Sequence, residues 1–189
     1  ACDNQEGIPE CTGWRSDQAI YTYSSVRFAQ VLLQAGRGQK AADYLYAFAN
    51  HASASRVWRE EQPVKETHSA EICGDMPHNW ASVEFIRLVR NLVVLETFTG
   101  VELLPGLPEE WLPRAGVSLV LENSPTRFGK LTLELSVRGK GGYLLSVARE
   151  DGNQQPQYLR LHWAGKAVLD GGELEKSNGK YLLPLEEKQ

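Results

Sequence analysis

Up to about Gly100 the apolar residues of this chain recur at three- and four-residue spacing, and beyond it they alternate. A helical half followed by a β half is the direct reading of that change of period. Ile20, Tyr23, Val26, Ala29 or Gln30, Leu32 and Leu33 mark a first helix, with Ser16 or Asp17 as its N-cap and Gly36 as its stop. A second helix is predicted from about Gln39 to Ala52. The short Gly36-Arg37-Gly38 connector makes the two an antiparallel hairpin. A third begins near Asn79 and carries Trp80, Val83, Phe85, Ile86, Val89, Leu92, Val93 and Leu95 to a stop at Gly100, an apolar face wide enough to be largely buried.

In the second half, Leu131, Leu133, Leu135 and Val137 alternate with polar residues, the pattern of a strand with one buried face. Further strands are predicted at Val117 to Leu121, Tyr143 to Val147, Tyr158 to Trp163 and Tyr181 to Leu185, separated by turn clusters such as Gly139-Lys140-Gly141-Gly142 and Asp151-Gly152-Asn153. Such closely spaced strands predict a small antiparallel sandwich. Leu104-Pro105-Gly106-Leu107-Pro108 and Trp111-Leu112-Pro113 read as a rigid connector, giving a division into 1–100, 101–115 and 116–189.

Between the second and third helices lies a long stretch with no hydrophobic period, and such loops in compact domains are commonly functional. It contains Trp58-Arg59-Glu60-Glu61-Gln62 and Gly74-Asp75-Met76-Pro77-His78-Asn79-Trp80. Acids, a histidine, an arginine and flat aromatic rings suit a sugar, which presents apolar faces and rings of hydroxyls. Trp58, Arg59, Trp80, His78 and Asp75 are the substrate-binding candidates, and Trp14 with Arg15 repeats the combination at the entry to the first helix. Tyr21 and Tyr23 stand near that entry, where helical spacing assigns Tyr23 to the core. Glu84 reads as a structural partner of Arg87 or Arg59, and Trp163 as core, in phase with Leu159 and Leu161.

Composition narrows the class further. The 189 residues are 42% hydrophobic and 23% charged, ordinary values for a globular protein, and the net charge of −4 comes without a basic stripe, which argues against nucleic acid as a partner. No apolar run approaches a bilayer span; the longest, Phe85 to Phe98, is broken by Arg87, Arg90 and Glu96. Cys2, Cys11 and Cys73 lack metal-ligand spacing, and the histidines form no paired zinc motif, so neither metal nor cofactor is expected. A Cys2–Cys11 bridge is one option and free thiols the other. The chain starts at Ala1 without a secretory pattern, so a processed chain or a piece of a longer one is expected.

The order helical hairpin, Glu60-Glu61-Gln62 loop, then Pro77-His78-Asn79-Trp80-Ala81-Ser82-Val83-Glu84-Phe85-Ile86-Arg87-Leu88, resembles the end of a six-hairpin α/α-toroid glycoside hydrolase of the glucoamylase-like kind. The connector and the Pro125-Thr126-Arg127-Phe128-Gly129 turn resemble the β-sandwich that follows such toroids in bacterial glycosidases and glycan phosphorylases. The resemblance implies an α+β chain in which helical hairpins form part of a toroid and a small antiparallel β-sandwich follows. It implies Glu61 as general base, with Glu60 second, in an inverting mechanism whose acid stands about 6.5–9.5 Å away on an N-terminal remainder of the toroid, in the same or a separate chain. A glycan would be the substrate and the periplasm or exterior the place of action, with the cytoplasm as the other option. A glycan phosphorylase and a non-catalytic carbohydrate-binding or structural domain are the alternatives.

Overall fold

The computed structural model describes residues 19–63, 74–139, 141–150, 152–169 and 172–185. The chain divides into two compact units between Leu92 and Val93.

In the first unit, strand β1 (Ala19–Tyr21) leads into helix α1 (Thr22–Gln34), which is followed by α2 (Gly38–Asn50), β2 (Glu61–Pro63) and α3 (Asn79–Val93). Helix α1 stops where expected: Gly36 takes a φ of 75°, and the amides of Gly36 and Arg37 bond back to Leu33 and Leu32. The inward faces of α1 and α2 supply Val26, Ala29, Leu33, Tyr44, Leu45 and Phe48 to the core. Helix α3 is tied to α1 by Arg27 to Glu84 at 3.0 Å and by the buried Asn91 to Gln30 bond at 2.8 Å. Glu84 also receives Arg87 at 3.3 Å, the structural role read from the sequence. Strands β1 and β2 pair antiparallel, placing Tyr21 opposite Glu61.

The second unit holds β3 (Val94–Glu96), β4 (Gly100–Leu103), β5 (Leu119–Thr126), β6 (Gly129–Arg138), β7 (Gly142–Arg149), β8 (Tyr158–His162), β9 (Val168–Leu169), β10 (Gly172–Glu173), β11 (Lys176–Ser177) and β12 (Lys180–Leu183). One sheet has the order β11-β12-β8-β4-β3 and another β5-β6-β7, while β9 and β10 form a hairpin. Val101, Leu103, Leu161 and Tyr181 of the first sheet share an apolar core with Phe128 and with Leu131, Leu133 and Leu135 of β6. Trp163 packs against that core, as its phase with Leu159 and Leu161 predicts.

The expected fold class needs correction. Among the described residues strand outweighs helix, 35% against 29%, and the helices form one hairpin and a third helix rather than the hairpin set of an α/α toroid. The third helix ends at Val93, where the chain turns extended from the β-branched Val94 onward and β3 finds a partner in β4. The segment expected as a connector begins with β4, all of whose residues are buried. The larger sheet is not purely antiparallel, since β4 runs parallel to β8. Nor is the apolar face of α3 fully covered: Trp80, Val83 and Ile86 are 61%, 59% and 67% exposed.

Candidate functional site

The pairing of β1 with β2 decides which acid of the Glu60-Glu61 pair is reachable. Glu61, opposite Tyr21, is 0% exposed, whereas its neighbour Glu60 is half-buried. Alternation along an extended segment sends adjacent side chains to opposite faces. Glu61, implied as the general base, is thus fully buried, and Glu60 is the carboxylate that reaches the surface.

Glu60 is fixed before anything binds. Its amide donates to the Asp75 carbonyl at 3.1 Å, and its carbonyl accepts from the Thr22 amide and hydroxyl, each at 3.0 Å. The Tyr21 hydroxyl donates to its Oε1 at 3.3 Å and lies 2.7 Å from the Tyr23 hydroxyl. Burial, then the Tyr23 hydroxyl and the Glu60 charge, push the Tyr21 phenol far above its usual range, so it stays a neutral donor. On the other side lies Gly74, at a φ of 91°, where a β-carbon would overlap the Glu60 side chain.

His78 and Asp75 complete the cluster. His78 Nδ1 lies 2.6 Å from Asp75 Oδ1, and this bond holds the Asp75 carboxyl below the ordinary carboxylate range. The His78 amide donates to the Trp58 carbonyl at 2.8 Å, fixing the loop that enters α3. Tyr23 stacks on the His78 ring, with centroids 5.5 Å apart, and Trp80 stands edge-on to both. Ligand atoms of Glu60, Asp75 and His78 lie within 4.8 Å of one another.

The structure thus brings Glu60, Asp75, His78 and Trp80 together, with Arg59 alongside, its guanidinium donating to the Gly74 carbonyl at 3.4 Å. Trp58 does not join them. Its ring is 5% exposed, stacked 4.7 Å from Phe48, and its indole N–H donates to the Phe48 carbonyl at 2.9 Å, so it is core rather than a sugar platform. Trp14, Arg15, Asp17 and the three cysteines lie outside the described residues. Tyr23, assigned to the core from its spacing, instead joins the site, as does Tyr21. Tyr21 ends β1 and Tyr23 lies in the first turn of α1, so the strand-to-helix junction is what brings the two phenols together.

The second unit carries a polar cluster that the strand pattern alone does not announce. Glu102 on β4 is 6% exposed and accepts from His162 at 2.5 Å, Arg160 at 3.1 Å and Lys180 at 3.3 Å. Burial raises its pKa, but the His162 bond and the Lys180 charge outweigh that and leave it lowered. Burial, helped by the Lys180 and Arg160 charges, lowers His162 despite the carboxylate, so at neutral pH it is a neutral donor.

Among the described residues no helix is long and apolar enough to cross a membrane. No family model matches the chain, and neither a curated protein nor a solved structure matches it.

Proposed function

We propose that the cluster around Glu60 binds and processes a glycan, with Glu60 as the carboxylate that takes up or delivers the proton at a glycosidic bond. The observation that carries this reading is a half-buried carboxylate held by backbone and phenol hydrogen bonds beside the exposed Trp80 ring. A fixed acid–base group next to a flat apolar platform is what glycoside hydrolysis asks of one half of its site. Asp75 has its carboxylate on His78 Nδ1 at 2.6 Å, which commits it to that ring rather than to the substrate. On this reading Asp75 orients His78, and the second carboxyl is expected from outside the described residues. Inversion follows if that group stands about 6.5–9.5 Å from Glu60.

The test is a panel of α-linked oligosaccharides assayed for binding by tryptophan fluorescence and for hydrolysis by reducing-end release. Glu60→Gln is expected to abolish hydrolysis and keep binding, and Trp80→Ala to weaken binding by about 1 kcal/mol. A chain that binds no member of the panel overturns the proposal. The commitment of Asp75 to His78 leaves Glu60 without an assigned partner carboxyl among the described residues and supports a second reading, a glycan-binding domain without turnover. Binding that survives with no hydrolysis under any condition would select it.

A further inference from the structure

The hydrogen bonds of the Glu60 cluster leave one demanding atom unsatisfied. His78 is 7% exposed, and while its Nδ1 is committed to Asp75, its Nε2 is buried with no hydrogen-bond partner among the described residues. A buried imidazole nitrogen in that state carries a desolvation cost that a bound ligand would offset. The glycine at position 74 lets the Glu60 side chain pack against its backbone, where any β-carbon would overlap it. One imidazole nitrogen with carboxylate oxygens is a donor set for first-row divalent cations such as Mn2+ and Zn2+, whereas Ca2+ favours oxygen alone. Three protein ligands with open positions is also the pattern of a metal site that meets substrate.

We propose that Glu60, Asp75 and His78 form a divalent-cation site, with the remaining coordination positions left to water or to hydroxyls of a bound ligand. Two of the three ligands are held in advance, Glu60 through its bonds to Thr22 and Asp75, and His78 through its amide bond to Trp58. Asp75, whose side chain is 69% exposed, is the group that must turn toward the ion. The site shares Glu60 with the glycan reading, where that carboxylate carries a proton that a bound ion would displace; cation binding does not depend on that reading.

The test uses the full chain, stripped with EDTA and titrated with Mn2+ alone at pH 7.5 under reducing conditions, with free ion followed by electron paramagnetic resonance. One ion per chain is expected, bound at least about tenfold more weakly in Glu60→Gln, Asp75→Asn and His78→Gln. Because His78 is buried and its variant can fail to fold, Asp75→Asn, at an exposed position, decides the matter, with circular dichroism confirming its fold. No uptake at millimolar Mn2+, or uptake unchanged in a folded Asp75→Asn chain, overturns the proposal. Glycan binding by the EDTA-treated chain separates the two readings: glycan bound without metal uptake removes the cation site alone, and metal uptake without glycan binding removes the glycan reading alone.

Discussion

Replacing Trp58 tests whether this ring is a wall of the first unit or a surface for sugar. The ring is 5% exposed, lies at 13° to the Phe48 ring with centroids 4.7 Å apart, and sits 4.9 Å from Phe85. Trp58→Ala removes that stack, the indole bond to Phe48 and most of the side-chain volume at once. Truncations of this kind cost about 3–5 kcal/mol, and the upper part of that range is expected because aromatic rings on two elements lose their partner. Trp58→Phe isolates the polar part: the stack survives and the indole N–H is lost. The Phe48 carbonyl still accepts the His51 amide at 3.1 Å, so the loss should be about 0.5–1.5 kcal/mol plus a small volume term. Urea unfolding followed by far-ultraviolet circular dichroism gives both values from the shift in midpoint. A Trp58→Ala chain less than about 1 kcal/mol less stable than the parent, yet unable to bind glycan, would refute the assignment to the core. Equal glycan affinity in a folded Trp58→Phe chain would support it.

Four other expectations follow from the geometry. Gly74→Ala places a β-carbon against Glu60 at a φ of 91°, so the unfolding free energy should fall by about 1–3 kcal/mol and glycan binding should weaken with it, measured by urea titration and fluorescence. Asn91→Ala removes the donor to Gln30 Oε1 inside the first unit, and a loss of about 1–3 kcal/mol is expected in the same titration. In the second unit, Glu102→Gln leaves Arg160 and Lys180 without their buried counter-charge and should cost about 3 kcal/mol. The same cluster sets a pH dependence. His162 is lowered from its usual 6.5, so below that value the unfolded chain takes up a proton that the folded chain declines, and stability falls. Glu102 is lowered from 4.5, so its contribution, present above 4.5, is lost as pH drops through its folded value. Urea midpoints should be flat above about pH 7 and decline on acidification; a midpoint that rises between pH 7 and pH 5 would contradict the sign for His162, and one that rises below about pH 4.5 the sign for Glu102.

Where the chain's own period specified structure, reading it was enough. Helices α1 and α2, the stop at Gly36 and the strands around Leu133, Leu145, Leu161 and Tyr181 all come from local alternation or helical spacing, and the folded protein keeps them. What escaped depends on partners far along the chain. Ala19-Ile20-Tyr21 and Glu61-Gln62-Pro63 are too short to show a period, and each is extended because the other is there. That pairing is also why Glu60 and Glu61, adjacent and chemically identical, differ in exposure. Trp58 stands among polar residues and looks exposed, yet the Phe48 ring claims it. Asp75, His78 and Trp80 were legible because a loop rich in chemistry stood before a recognisable helix start, whereas Tyr21 was hidden by a helical spacing that begins only after it.

The parallel pairing of β4 with β8 has a consequence for how the second unit is made. Glu102 and Arg160 face each other across 58 positions of chain, and the β5-β6-β7 meander is synthesised between them. That meander consists of hairpins that can form as soon as each turn exists, but β4 has only the short β3 beside it until β8 emerges. During that interval a strand with Val101 and Leu103 on one face presents an open edge, the kind of surface that recruits strands from other molecules. Chains stopped short of Tyr158 should therefore be aggregation-prone even though every hairpin before that point is intact, and expression yield across a series of C-terminal truncations should drop at β8 rather than decline evenly with length.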